Sequence, residues 1–316
     1  MPRPRDAALL LLRVTLTVGA LGWALRRVDL SVARTALAEA PLWAFFVPPA
    51  LMLVNSALHA LRTGLLLDAL GVRAPPTALL GAMLKGNFAG IVLPGGGAEV
   101  AKAGFLARIT SADAAVVALV TARVLEFVPW ALLLLYGLAW GLAAWDPALG
   151  GAAAAFAGAF LAVSGATALG VRWGPTSARR LPGRVGVFGE RAASALTRLS
   201  HRPARLALVM ALALPFKLIN GLSVWAVLHA YAVPLPYADV LAIFPAADAL
   251  ISLPITINGV GVREGVFARA LAPLGTPAEV AVAAALTRWC GELGRAAVGG
   301  LWFLIDGLGR RELTPR

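Results

Sequence analysis

The chain has 316 residues, 59% of them hydrophobic and 14% charged, with a mean hydropathy of +0.80. A soluble domain carries about 25% charged residues, and here the deficit runs the whole length, which excludes a soluble globule and a singly anchored protein. The net charge of +12 is nearly all arginine; in so apolar a chain it reads as cytoplasmic positive charge and attraction to anionic lipid head groups, not as nucleic-acid binding.

An all-α polytopic membrane protein is therefore expected. In chain order, six full spans are predicted: Ala7–Leu25, Leu42–Ala60, Ala114–Ala143, Ala152–Val171, Leu206–Tyr231 and Ala278–Ile305. The first follows Met1 to Arg5 and has the look of a signal peptide, but the topology requires it as an uncleaved span. Two further apolar segments are interrupted. One runs from Ala78 to Leu93, breaks at Pro94, Gly95, Gly96 and Gly97, and continues to about Arg108. The other runs from Ala238 to Leu253, breaks at Pro254, passes Asn258, Gly259 and Gly261, and continues to about Leu271. Each second arm is too short to cross a core about 30 Å thick, so each segment reads as a re-entrant hairpin.

Charge orients the chain. Arg172–Arg205 holds eight arginines against one acid, Glu190, and is expected to be cytoplasmic. Its Pro175 and Pro182 argue against one continuous helix, and Glu190 to Leu199 reads as a short surface amphipathic helix. With both hairpins counted as non-crossing, the N-terminus, the loop Arg62–Arg73 and the tail at Arg310 and Arg311 fall inside. The loops near Asp146 and Pro234–Asp239 fall outside. Arg26, Arg27 and Arg34 dissent. The expected location is the bacterial cytoplasmic membrane, both termini inside.

The two hairpins resemble each other. Leu93-Pro94 answers Leu253-Pro254, Gly104 to Arg108 answers Gly265 to Arg269, and Thr121 to Arg123 answers Leu286 to Arg288, with Glu126 and Glu292 just beyond. Each half then reads span, span, hairpin, span: 1–145 as the first repeat and 146–316 as the second. Three full spans separate the hairpins, so the second enters from the opposite side, the inverted repeat of many secondary transporters.

Ionisable residues within spans are the candidate site, since each costs about 2.5–3.5 kcal/mol at the bilayer centre on insertion scales. Arg123 with Glu126, and Arg288 with Glu292, have helical spacing and can meet on one face. That pairing would also serve plain charge neutralisation. Each returning hairpin helix begins inside the membrane, where its free N–H groups and dipole favour an anion such as phosphate. Lys85, Lys102 and Arg263 can bind that phosphate directly, and Asn87 and Asn258 can donate to it. Glu99 and Glu264, in the first turns, cap helices or balance charge. Asp248 can pair with Arg263, Arg288 or Lys217, or carry a proton. His59 and His229 sit at span ends, and the tryptophans are mostly interface anchors. The single Cys290 allows no intrachain disulfide and no cysteine metal cluster. HExxH, GxSxG, P-loop and dinucleotide fingerprints are absent; no enzyme activity, metal or cofactor is expected.

From about Leu42 to Leu304 the chain resembles the lysylphosphatidylglycerol synthase transmembrane-region family, which includes the flippase domain of bacterial multiple peptide resistance factors. The resemblance is carried by Leu253-Pro254 through Gly259 to Gly265, then Gly275 and Arg288, with Asn87, Leu93-Pro94, Gly97 to Glu99, Arg123 and Glu126 as the first-half counterpart. It implies translocation or binding of phospholipids or other lipid-linked head groups, with Glu99, Arg123, Glu126, Arg263, Glu264 and Arg288 carried over. Two departures stand out. Gly95 to Gly97 replace the basic hairpin tip of relatives, and Lys102 stands where an arginine is usual. No counterpart of the aminoacyl-transferase domain of the resistance factors is read in this sequence, so synthesis of lysyl lipid is not expected of it. The function expected is a lipid flippase or transporter whose partners are membrane lipids with an anionic or phosphate-bearing head group, without nucleic acid. The alternatives are a soluble-anion transporter and an accessory subunit docking a separate synthase.

Overall fold

The computed structural model describes residues 29–92, 97–173, 203–253, 256 and 259–312, with isolated positions in 15–22 and 190–201. The expected first span, the hairpin-tip residues Pro94, Gly95, Gly96, Pro254 and Asn258, and most of Arg172–Arg205 lie outside these. The described elements are all helical: α1 (Leu30–Glu39), α2 (Trp43–Ala69), α3 (Pro76–Val92), α4 (Gly97–Ala107), α5 (Ala112–Trp140), α6 (Leu142–Trp145), α7 (Pro147–Trp173), α8 (Pro203–Ala211), α9 (Ala213–Ala230), α10 (Tyr237–Ile251), α11 (Val262–Leu271), a 3-10 turn (Ala272–Leu274) and α12 (Ala278–Glu312).

The helix ends follow local chemistry. Asp29 caps α1 by accepting from the Ser31 and Val32 N–H groups; the Ser31 hydroxyl bond, ahead of these, holds its carboxyl below the usual carboxylate range. Ser111 caps α5, which ends where Gly141 takes φ +106°. Asp146 accepts from the Ala148 and Leu149 N–H groups at the start of α7 and pairs with Arg269 Nε of α11 at 2.6 Å.

Among the described residues, four stretches are long and apolar enough to cross a membrane: 43–69, 112–140, 147–169 and 204–230, the last joining α8 and α9 across Leu212. These match four predicted spans, and the chain is a multi-pass membrane protein. The sixth predicted span, α12, has 35 residues but is interrupted by Arg288, Glu292, Arg295 and Asp306. It satisfies length, not composition.

One expectation is corrected here. Arg62 does not open a cytoplasmic loop. The leucines at 65–67 carry α2 on to Ala69, and Arg62 is completely buried. The burial is tolerated because an acid from another helix meets the charge.

Both hairpins form as helix, break, helix, with antiparallel arms. In the first, a Cβ at Gly90 would lie 2.4 Å from Ala98 Cβ, and one at Gly86 2.3 Å from Lys102 Cγ. The partner number falls by four as the position rises by four. In the second, the Phe244 and Phe267 rings sit edge to face at 4.9 Å, and a Cβ at Gly259 would lie 2.6 Å from Ile251 Cγ2. The turn needs Gly259 at φ +73° and Gly261 at φ +82°. The returning arms, of 11 and 10 residues, reach about 15–17 Å at about 1.5 Å per residue.

Packing crosses between the two halves. The first hairpin's leading arm α3 lies on α12, and the second's leading arm α10 lies on α5. In the same way α2 packs on α12 and α9 on α5, while α2 and α9 pack on each other. Glycine makes both hairpin contacts close: a Cβ at Gly299 would lie 2.1 Å from the Leu84 carbonyl oxygen, and one at Gly137 2.2 Å from that of Ala242. Backbone cannot yield as a side-chain tip can. Gly299→Leu and Gly137→Leu are each expected to destabilise by at least the ~1–3 kcal/mol typical of overpacking. Gly158→Leu, with open space around it, should melt near wild type. Thermal unfolding of the purified variants in detergent checks this.

Candidate functional site

The electrostatic centre of the first half is Glu126 on α5, which is buried. Arg62 Nη1 of α2 donates to its Oε1 at 2.5 Å. Arg123 Nη1 lies 3.4 Å and Lys217 Nζ of α9 3.9 Å from its Oε2. Arg62 spends its other donors on backbone: Nε on the Val209 carbonyl of α8 and Nη2 on the Ala122 carbonyl of α5. One carboxylate thus gathers cations from α2, α5 and α9. The predicted Arg123–Glu126 contact is present, but as the weaker part of a larger cluster.

Lys217 also stands over the Trp130 ring, 3.6 Å from its centroid, and Arg123 flanks the same ring at 5.5 Å. Past this indole a cavity of about 400 Å³ opens between the two hairpins, within the ~300–1,000 Å³ range of small-molecule sites. Arg123, Lys217, Arg263, Arg288 and Arg295 line it, with Asp248 and Glu292 as the acids. Amides face it too: Asn87, which donates to Ser56 Oγ at 3.4 Å, and Asn55, which donates to Asn220 at 3.1 Å.

In the second half the predicted Arg288–Glu292 pair forms at 3.6 Å, and Arg295 closes on the same carboxylate. Arg288 is only 9% exposed. Its Nη2 points to Met52 Sδ at 3.9 Å, and its Nε, at the cavity wall, has no hydrogen-bond partner among the described residues. Arg263 is buried beside the Trp289 ring at 5.7 Å.

The other predicted residues divide. Asn87, Asp248, Gly259 and Arg263 line the cavity with Arg123, Arg288 and Glu292. Asp248 forms none of the direct ion pairs found among the described residues, although Arg288 and Lys217 share its cavity. Lys102 is turned to Glu99, 2.7 Å away, and Lys85 to Asp306 of α12, so neither lines the cavity. Glu264 is buried as a helix cap, accepting from the Gly261 N–H at 2.6 Å. Gly97 opens α4. His229 stacks on Trp225, and His59 packs on Phe216.

Sequence reasoning missed Lys217 as a cavity residue, and missed Arg295, Asn55, Asn220, Trp130 and Trp289 there. Spacing held a clue. Asn55 and Asn220 are 165 residues apart, as are Arg123 and Arg288. Among the described residues no group of His, Cys, Asp and Glu has the makings of a metal site.

Because Arg62 has no exposure, Glu126→Gln leaves a buried guanidinium without its counter-charge. A loss of about 3–5 kcal/mol is expected. The double replacement Arg62→Met, Glu126→Gln should recover much of it. Steric-trap or thermal unfolding of the single and double variants measures the coupling.

The pattern of one protein family, the lysylphosphatidylglycerol synthase TM region, matches residues 10–288. No curated protein and no solved structure matches the chain.

Proposed function

Because the chain belongs to the lysylphosphatidylglycerol synthase transmembrane-region family, a membrane protein family with a lipid-related role, we propose that it moves lipids with an anionic head group across the bilayer. The observation that carries this reading is the cavity between the two hairpins, where five cations meet two carboxylates. Arginine and lysine clustered in a low-dielectric interior favour an anion strongly. Arg288 Nε supports phosphate as that anion, being a buried donor at the cavity wall with no acceptor among the described residues.

The mechanism follows from geometry. Arg123, Lys217 and Arg288 would hold the phosphate while the acyl chains stay in lipid. Asp248 and Glu292 balance the cations, and Asn87, Asn55 and Asn220 supply neutral polar contacts. Alternating access is supported by the packing pattern, which keeps its form when the halves are exchanged. In this reading the halves rock about the α2–α9 contact, no covalent chemistry is needed, and both termini face the cytoplasm of a bacterial cell.

The test is scrambling in liposomes with fluorescent head-group phospholipids and bleaching of the outer leaflet. Wild type should lose signal beyond the outer-leaflet half. Arg288→Ala and Lys217→Ala should slow this about tenfold or more, the worth of one charge-assisted hydrogen bond of roughly 1.5–3 kcal/mol, without loss of fold. Wild-type rates in both folded variants would remove the cavity from the transport path.

A further inference from the structure

Beyond an anionic head group in general, the cavity sets how much negative charge that head group carries. Resting on the lipid reading above, we propose that the preferred ligand is a lipid bearing a phosphomonoester or diphosphate, rather than a phosphodiester with one negative charge.

Charge balance around the cavity points to this ligand. The described lining has five basic side chains and two acidic ones. Behind that lining, Glu126 is matched by Arg62, a cation that likewise does not line the cavity, while buried Glu264, next to Arg263 on α11, adds a third acid. The excess is therefore two positive charges at a cavity of about 400 Å³. Charge buried in an interior is costly unless it is met by its opposite. A phosphodiester supplies one negative charge and leaves half of the excess in place. A phosphomonoester carries about −1.5 to −2 near neutral pH, and a diphosphate carries more.

Geometry agrees with charge. The cations come from different helices. Arg123 of α5 and Lys217 of α9 flank Trp130, while Arg288 and Arg295 belong to α12. A ligand with several anionic oxygens can meet both groups together. Among the described residues the buried Nε donors of Arg288 and Arg295 have no acceptor, and guanidinium forks suit phosphate oxygens.

The experiment compares two short-chain lipids with identical acyl tails in isothermal titration of the detergent-solubilised protein. One carries a glycerol phosphodiester head group, the other a terminal diphosphate. The diphosphate lipid is expected to bind about tenfold or more tightly. Arg295→Gln lowers the excess by one charge and should shrink that preference. Asp248→Asn raises it by one and should widen it, a gain that structural damage does not produce. Equal affinity of the two lipids overturns this proposal and leaves the lipid reading standing. Binding of neither by folded protein overturns both. Inorganic pyrophosphate binding as tightly as the lipid diphosphate would keep the charge requirement but overturn the lipid as its source.

Discussion

A charged group inside a bilayer must find its counter-charge within the protein, and the Glu126 cluster is where this chain meets that demand. A single carboxylate answers Arg62 from α2, Arg123 from its own helix and Lys217 from α9. Arg62 then binds backbone carbonyls of α5 and α8. Apolar packing brings helices together in lipid with little directional preference, since lipid tails are as apolar as leucine. Directed, charge-assisted bonds fix their depth and rotation. The floor of the cavity is set by this cluster, and Lys217 is presented to the cavity because Glu126 and Trp130 hold it from behind.

The corresponding acid of the other half does a different job. Glu292, though paired with Arg288 and Arg295, is partly exposed and forms cavity wall. Glu126 is buried and lies outside the lining. The two acids, 166 residues apart, thus serve differently: one closes a buried cluster, the other lines the cavity. The asymmetry arises from Arg62, which has no charged counterpart 165 residues on, where Val227 stands.

Hydropathy and punctuation made much of this legible. The apolar runs gave the spans, because crossing a bilayer leaves no alternative to a long apolar helix. The Pro and Gly breaks with short second arms gave the hairpins. Arg123, Glu126, Arg288 and Glu292 were visible as charges where charge is expensive. What misled was Arg62, whose position after an apolar run looks like a span end. Only the distant Glu126 shows it to be interior. Lys217 was named only as a possible partner of Asp248, and Asn55 was overlooked, because a lone polar residue in a long span carries no partner in its own sequence neighbourhood. Lys85 and Lys102 failed to reach the cavity for the opposite reason: acids close by in space, Asp306 and Glu99, engage them first.

The bond between Asn55 and Asn220 has a consequence of its own. It lies where α2 meets α9, a helix contact that maps onto itself when the two halves trade places. An amide offers a donor and an acceptor on the same short stem. If both amides turn over, the giver becomes the receiver and the bond is otherwise unchanged. Such a joint has no polarity. It joins the two halves without favouring either sense of tilt, so that in the proposed alternating access any bias between inward and outward postures would be left to the occupant of the cavity and to the lipid on either side.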